Sequence, residues 1–164
     1  MRQGPEIWIR GPVAVPEPAP PGSARAPATA RRLAWVGAHG GAGASTLAAV
    51  YGGHDCGRAW PGPAGPRSVL LVARTHAAGL EAVARAVEAF RRGQVPPGLG
   101  LEAVVLVADA PGRLPRPLAR RIRSLESAVD VHRVPWVPAW RLGAPGGRLP
   151  RGTRALARLT GAAR

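Results

Sequence analysis

A glycine-rich stretch, residues 37–46, has the residue types and the setting of a loop that binds phosphate. It follows an apolar run at 33–36 and leads into a second apolar run at 47–50, so the local order is strand, turn and helix. In such loops the backbone N–H groups and the helix N-terminus face the anion. The residues predicted to contact a nucleotide are Gly40, Gly41, Ala42, Gly43, Ala44, Ser45 and Thr46.

The composition of this loop preserves a backbone cradle and loses a side-chain charge. Gly40, Gly41 and Gly43 permit positive φ angles, which let successive amides converge on one anion. Ser45 holds the position of the hydroxyl that ligates Mg²⁺ in phosphate-binding loops, but Ala44 stands where such loops carry a lysine. A glycine-rich turn with no ligand is the alternative interpretation.

An acidic residue follows another apolar run at the end of a predicted strand. Asp109 comes directly after residues 103–108, and Asp109-Ala110-Pro111-Gly112 forms the turn that closes the strand. A carboxylate at this place holds Mg²⁺ in P-loop enzymes, and Gly112 would bring a backbone N–H near the terminal phosphate. We therefore predict that Ser45 and Asp109 hold the Mg²⁺ of a bound Mg-ATP. The alternative is that Asp109 only stabilises a turn.

The two motifs together resemble those of the ParA/MinD ATPases. His39-Gly40-Gly41-Ala42-Gly43-Ala44-Ser45-Thr46 is similar to the deviant Walker A motif of that superfamily, and the turn at 109–112 is similar to its strand-terminal Asp-x-Pro-Pro/Gly. The turn at 134–135 resembles the late turn where the superfamily contacts adenine. The resemblance covers residues 31–142 and is nearest in motif to degenerate members, the TadZ/CpaE pilus-localisation proteins and the septum-site-determining-like proteins.

Three departures from that superfamily fall on its charged positions. His39 replaces its signature lysine, Ala44 replaces its loop lysine, and Arg74 ends a strand where the superfamily has the acid that orients the attacking water. Phosphoryl transfer depends on positioned positive charge and on a positioned water. The resemblance therefore implies a degenerate nucleotide-binding protein that binds Mg-ATP weakly or not at all, hydrolyses it poorly and acts as a localisation, scaffold or accessory component.

Two arginines stand where they could replace the missing charge. Arg74 and Arg113 follow apolar strands, so both should lie at the carboxyl edge of the sheet, where ligands bind in such folds. An active ATPase completed by Arg113 or by a partner is therefore a further hypothesis, and ordinary surface placement of both arginines is the simpler one. The sequence leaves open whether His39 contacts phosphate. It also leaves open whether Trp136 and Trp140 pack within the protein or stack on a base.

The charge of the chain suggests a second class of function. The net charge is +14, every basic residue is an arginine, and residues 113–164 hold twelve arginines against Glu126 and Asp130, a net charge of +10. Such a surface attracts DNA, anionic membrane or an acidic protein. A nucleotide-independent module that binds DNA or an acidic partner is thus the second hypothesis, and a solvated helix face is its alternative. The contacts would come from Arg116, Arg120 and Arg123.

Cysteine count and hydropathy favour the cytoplasm. Cys56 is the single cysteine, which rules out an internal disulfide and fits a reducing compartment. No apolar run approaches the roughly 20 residues of a membrane span, and the first residues lack the apolar core of a signal peptide. We expect a protein partner, and the sequence leaves a homodimer open.

The elements that must position these residues alternate between strand and helix after a proline-rich start. Residues 1–30 contain seven prolines and are predicted to be a disordered tail, and 31–164 are predicted to form one P-loop NTPase-like α/β domain. The continuous apolar runs of the middle strands predict a three-layer fold with about four mostly parallel strands and helices on both faces. The expected strands are 33–37, 68–73, 103–108 and 129–134; the expected helices are 44–52, 78–92, one from 117 and one at 152–160.

Overall fold

The computed structural model describes residues 32–162, which contain five strands and five helices. The predicted tail at 1–30 lies outside the described residues. The strands are β1 (Leu33–Gly37), β2 (His54–Asp55), β3 (Ser68–Arg74), β4 (Gly100–Val107) and β5 (Val131–Val134). The helices are α1 (Ala44–Tyr51), α2 (Ala77–Arg91), α3 (Arg116–Glu126), α4 (Pro138–Arg141) and α5 (Arg154–Thr160).

The strands form one sheet in the order β2-β1-β3-β4-β5, and every neighbouring pair is parallel. The prediction of a parallel α/β fold is confirmed, but the expected number of about four strands is one too low. The additional strand is β2, whose two exposed residues pair with Ala34 and Trp35 of β1. Both residues of this edge strand are exposed, and two residues are too few for an alternating apolar pattern. The sequence therefore contains no signal that would have predicted it.

Successive residues of each central strand pack into two separate layers because side chains alternate across a sheet. Trp35 and Leu70 belong to the core on one face, which also contains buried residues of α1 and α5. Val36 and Leu71 belong to the core on the other face, which contains buried residues of α2 and α3. The apolar runs of β3 and β4 therefore predicted correctly that helices cover both faces of these strands.

Local sequence signals account for the starts of α2 and α3. The side chain of His76 caps α2, since its Nδ1 accepts a hydrogen bond from the Gly79 N–H over 2.9 Å. Pro117 lies in the first turn of α3, where its missing N–H costs nothing. The short helix α4 was not among the helices that the sequence predicted. Among residues 32–162 no helix combines the length and the hydropathy that crossing a bilayer requires.

Candidate anion-binding site at the carboxyl edge of the sheet

A crevice opens between the carboxyl ends of β1 and β3, the two neighbouring strands from which the chain continues toward opposite edges of the sheet. After β1 the chain passes through α1 to β2, and after β3 it passes through α2, on the other face, to β4. In open parallel sheets, ligands bind outside the carboxyl ends of the two strands at such a switch point. The crevice here lies between the loop that follows β1 and the residues that follow β3.

The loop after β1 adopts the backbone conformation that its glycines allow. Gly41 and Gly43 have φ angles of 73° and 104°, whereas Gly40, which was expected to share this property, does not have a positive φ. Gly43 directly precedes α1, and no side chain caps the helix. The first N–H groups of a helix have no intrahelical acceptor, and those of Ser45 and Thr46 have no acceptor elsewhere in the described residues. The loop therefore presents free donors to the crevice.

Ala44 is largely buried and contributes only a small part of the wall of the crevice. It is 6% exposed and belongs to the core cluster beneath the loop. Ser45 is exposed and Thr46 is partly exposed, and both line the crevice. The position that carries a lysine in related loops is thus used for packing in this chain.

His39 connects the loop to the end of β3. Its Nε2 accepts a hydrogen bond from the backbone N–H of Arg74 over 3.0 Å, and its Nδ1 lies 2.8 Å from the carbonyl oxygen of Gly40. An imidazole that accepts at Nε2 and stays neutral carries its proton on Nδ1, which fits donation to Gly40. Both ring nitrogens are therefore occupied by backbone groups, and the geometry gives His39 a positioning role instead of contact with phosphate.

Arg74 places a guanidinium against the glycine loop. Its Nε donates to the carbonyl oxygen of Gly41 over 3.3 Å, and its Nη1 donates to that of Ala108 over 3.1 Å. Its Nη2 lies 3.7 Å from where a Cβ of Gly43 would stand. An arginine has five N–H donors, so three of them remain without an acceptor in the described residues. Of the two arginines that the sequence suggested as replacements for the lysine, Arg74 is the one beside the loop.

A second guanidinium comes from α4. The Nη2 of Arg141 lies 3.4 Å from the carbonyl oxygen and 3.8 Å from Oδ1 of Asp109, and its guanidinium lies 4.6 Å from the ring centroid of Trp136. Burial lowers the pKa of Arg74, the nearby charge of Arg141 lowers it further, and Asp109 opposes the shift. Two like charges held together at a partly buried place are an arrangement that a bound anion would stabilise.

These groups line one open cleft of about 530 Å³. Its walls are the loop, residues 39–46, together with Arg58, Arg74, Trp140 and Arg141. No carboxylate of the described residues lines this cleft. Three arginines and the free amides of Ser45 and Thr46 thus lie around the same space, which is positively charged and rich in hydrogen-bond donors.

Asp109 and Gly112 lie outside this cleft. Strand β3 separates β4, which Asp109 follows, from the loop strand β1, and Asp109 and Gly112 line a neighbouring cleft with Arg113. The N–H of Asp109 donates to Oγ1 of Thr75 over 3.0 Å. Ser45 and Asp109, the two predicted Mg²⁺ ligands, therefore line different clefts.

The carboxylate of Asp109 lies 3.8 Å from Nη2 of Arg141. At nucleotide sites Mg²⁺ is usually held by one or two protein ligands together with phosphate oxygens and waters, so the assignment of Ser45 and Asp109 as its ligands stays a prediction. The cleft beside the loop offers several hydrogen-bond donors and positive charge, which are the groups that phosphate oxygens accept from.

The arginines of α3 form a separate exposed surface. Arg116, Arg120 and Arg123 are exposed and have no ion pair among residues 32–162. None of them lines the cleft beside the loop. Sequence reasoning placed these residues on the outer face of the helix correctly, and it missed Arg58 and Arg141, whose roles depend on tertiary contacts in a chain where arginines occur everywhere.

The chain belongs to a family of unknown function, DUF6668, which it matches over residues 31–161. This match includes every strand and helix from β1 to α5, so the loop, Arg74 and Arg141 all lie within the matched region. The comparison with curated proteins and the comparison with solved structures return no match.

Proposed function

We propose that this protein binds the phosphate groups of a nucleotide, ATP being the reference ligand, in the cleft between the glycine loop and Arg74, and that it does so without efficient hydrolysis. The observation that carries the proposal is the guanidinium of Arg74, which lies beside Gly41 and Gly43 with three unused donors. Arginine matches phosphate oxygens with its planar, forked donors and stays charged at all physiological pH values.

The binding energy is expected to come from charge-assisted hydrogen bonds. Each hydrogen bond to a charged group contributes about 1.5–3 kcal/mol. The free amides of Ser45 and Thr46, together with Arg74 and Arg141, supply several such donors to one anion. The charge of Arg141 lowers the pKa of Arg74 and Asp109 opposes this effect, so a bound anion would offset the part of the repulsion that Asp109 leaves.

A nucleotide is favoured over free phosphate by the aromatic wall of the cleft. Trp140 lines the cleft beside Arg141 and also packs against the core, so a base would pack on the part of its ring that remains exposed. Trp136 is less suited to this role because Arg141 already covers its ring. The base would therefore lie nearer Trp140 than Trp136.

Efficient hydrolysis is not expected. The imidazole of His39 is committed to two backbone groups, and no carboxylate of the described residues lines the cleft to orient a water. A nucleotide-binding protein of this kind would act as a localisation, scaffold or accessory component, which is the role that the resemblance to degenerate ParA/MinD proteins implies. Arg113 does not line the cleft, which weighs against its completing an active ATPase.

Calorimetric titration of ATP in EDTA and in Mg²⁺ tests the proposal. The wild type should bind in both buffers, and Arg74→Gln should weaken binding at least about tenfold because it removes a charged donor. Arg141→Gln is a second variant that leaves the contacts of Arg74 intact. Arg113→Gln is the matched control and should bind like the wild type. Equal affinity of the wild type and both cleft variants would contradict the proposal.

A second function is suggested by the arginines of α3, which are exposed and form no ion pair among residues 32–162. Arg116, Arg120 and Arg123 could contact DNA phosphates or an acidic protein without any nucleotide. Filter binding of duplex DNA across a salt series tests this interpretation. Steep salt dependence that is lost when all three residues are changed to Gln, and that ATP does not alter, would favour it over the nucleotide proposal.

A further inference from the structure

A second cleft, of about 540 Å³, lies at the same edge of the sheet, beside the ends of β4 and β5 and helix α3. Its lining includes Leu106, Ile122 and Val134, which are at most 1% exposed, and the partly exposed side chains of Leu114 and Leu118. Small-molecule sites are typically apolar clefts of roughly 300–1,000 Å³ with a few polar groups. This cleft has that size and that lining.

The rim of this apolar cleft is cationic. Arg113, Arg133 and Arg151 line it. Arg133 is paired with Glu126 over 2.7 Å, whereas Arg113 and Arg151 have no ion pair among residues 32–162. The carboxylate of Asp109 also lines the cleft but faces Arg141. Two uncompensated positive charges therefore stand beside a buried apolar surface.

Two hydrogen-bond donors complete the polar part of the wall. Oγ1 of Thr75 accepts the Asp109 N–H, which leaves the hydroxyl hydrogen of Thr75 without an acceptor in the described part of the chain. Nδ1 of His76 accepts the Gly79 N–H, so the neutral ring carries its proton on Nε2, which has no hydrogen-bond partner there either. Donors and positive charge thus occur together, as recognition of an anionic group requires.

We propose that this second cleft binds a small amphipathic acid. The apolar body of the ligand, aliphatic or aromatic, packs on Leu106, Leu118 and Ile122, and a single carboxylate, sulfonate or phosphate group lies at Arg113 and Arg151. The cleft shares no lining residue with the cleft beside the glycine loop, so the proposal does not depend on nucleotide binding.

Titration of the full chain with 8-anilinonaphthalene-1-sulfonate tests this assignment, since the probe joins an aromatic body to one sulfonate. The wild type should show saturable fluorescence at one site per chain, and decanoate should displace the probe. Arg113→Gln combined with Arg151→Gln should weaken binding about fivefold, as expected for loss of two exposed charge interactions. Leu118→Gln should weaken it by a similar factor, because the half-buried apolar contact is lost.

Arg120→Gln is the matched control. Arg120 lies on α3, as Leu118 does, but it is exposed and does not line the cleft. Thermal melting of each variant confirms that it is folded before titration. Binding that responds equally to all the arginine changes, that is absent in the wild type, or that ATP displaces would overturn the assignment.

Discussion

The backbone N–H of Arg74 donates to Nε2 of His39 over 3.0 Å, so the residue that ends β3 is held by a side chain from the loop after β1. The guanidinium of the same arginine returns to the loop and donates to Gly41. These two contacts join the carboxyl ends of neighbouring strands at the switch point of the sheet. His39 and Arg74 therefore both help to hold the loop that borders the cleft.

His39→Ala is expected to lower the free energy of unfolding by about 1–3 kcal/mol, because it leaves the partly buried N–H of Arg74 without an acceptor. Urea denaturation followed by circular dichroism measures this change. His54→Ala is the control, since His54 is exposed in the edge strand β2 and should change stability by less than about 0.5 kcal/mol. Equal effects of the two changes would show that His39 does not position the loop.

Gly79→Ala is expected to destabilise the fold although it lies in a helix. Alanine normally stabilises an exposed helical position relative to glycine by about 0.5–1 kcal/mol. Here a Cβ would lie 2.4 Å from the carbonyl oxygen of Arg74 and 2.9 Å from Nε2 of His39. Overpacking of this kind costs about 1–3 kcal/mol.

Thermal unfolding of Gly79→Ala beside Ala84→Gly, an exposed position of the same helix, checks the sign of the effect. Both variants should unfold at lower temperature than the wild type, one through a steric clash and the other through helix propensity. A Gly79→Ala variant that is more stable than the wild type would mean that α2 does not approach β3 this closely.

Asp109→Asn separates two interpretations of the carboxylate. If Asp109 serves to offset the charges of Arg74 and Arg141, its loss should raise the affinity for ATP in EDTA about two- to fivefold, the size of a partly exposed charge interaction. Calorimetry gives the measurement, with Asp130→Asn as the control. A loss of affinity confined to Mg²⁺ buffer would instead identify Asp109 as a metal ligand.

His132 is expected to make stability depend on pH in the weakly acidic range. Burial lowers the pKa of this imidazole below its ordinary value of 6.5, and Asp130 opposes the shift. The unfolded chain therefore binds a proton more readily, so the contribution of the neutral ring is present above pH 6.5 and is lost as the pH falls through the lower pKa of the folded state. Urea denaturation between pH 5 and 8 should show a smaller loss of stability in His132→Gln than in the wild type.

The sequence predicted the elements whose signal lies within one segment. The apolar runs of β3 and β4 predicted both strands, and the helix predicted at 78–92 is α2, all with shifts of at most three residues at their ends. Of the apolar face predicted for this helix, Leu80, Val83 and Val87 are buried and Phe90 is partly buried, but Ala84 is exposed. Strand β2 could not be predicted because its two residues are exposed and pair only through the backbone. The place of Arg74 was predicted, but its contact with the loop depends on the distance between two strands, which no local pattern encodes.

The separation of Ser45 and Asp109 has the same origin. Each residue follows an apolar strand, as the motifs required, but β3 lies between the two strands in the sheet. The order of strands in a sheet depends on the whole chain. The distance between the two motifs along the sequence therefore could not show whether the side chains of Ser45 and Asp109 lie in one cleft. The sequence correctly placed the glycine loop at the carboxyl edge of the sheet. It also showed that the loop has His39 and Ala44 at the two positions where the resembling superfamily has lysines.

If the cleft that Arg74 and Arg141 line binds a phosphate ligand as proposed, the lifetime of the protein is linked to the concentration of that ligand. A ligand that binds only the folded chain stabilises it by an amount set by its concentration, about 2.7 kcal/mol at one hundred times the dissociation constant. Proteases degrade mainly the unfolded fraction, so a change of this size alters cellular abundance several-fold. Under the proposal, the protein would accordingly be degraded fastest when the ligand is scarce.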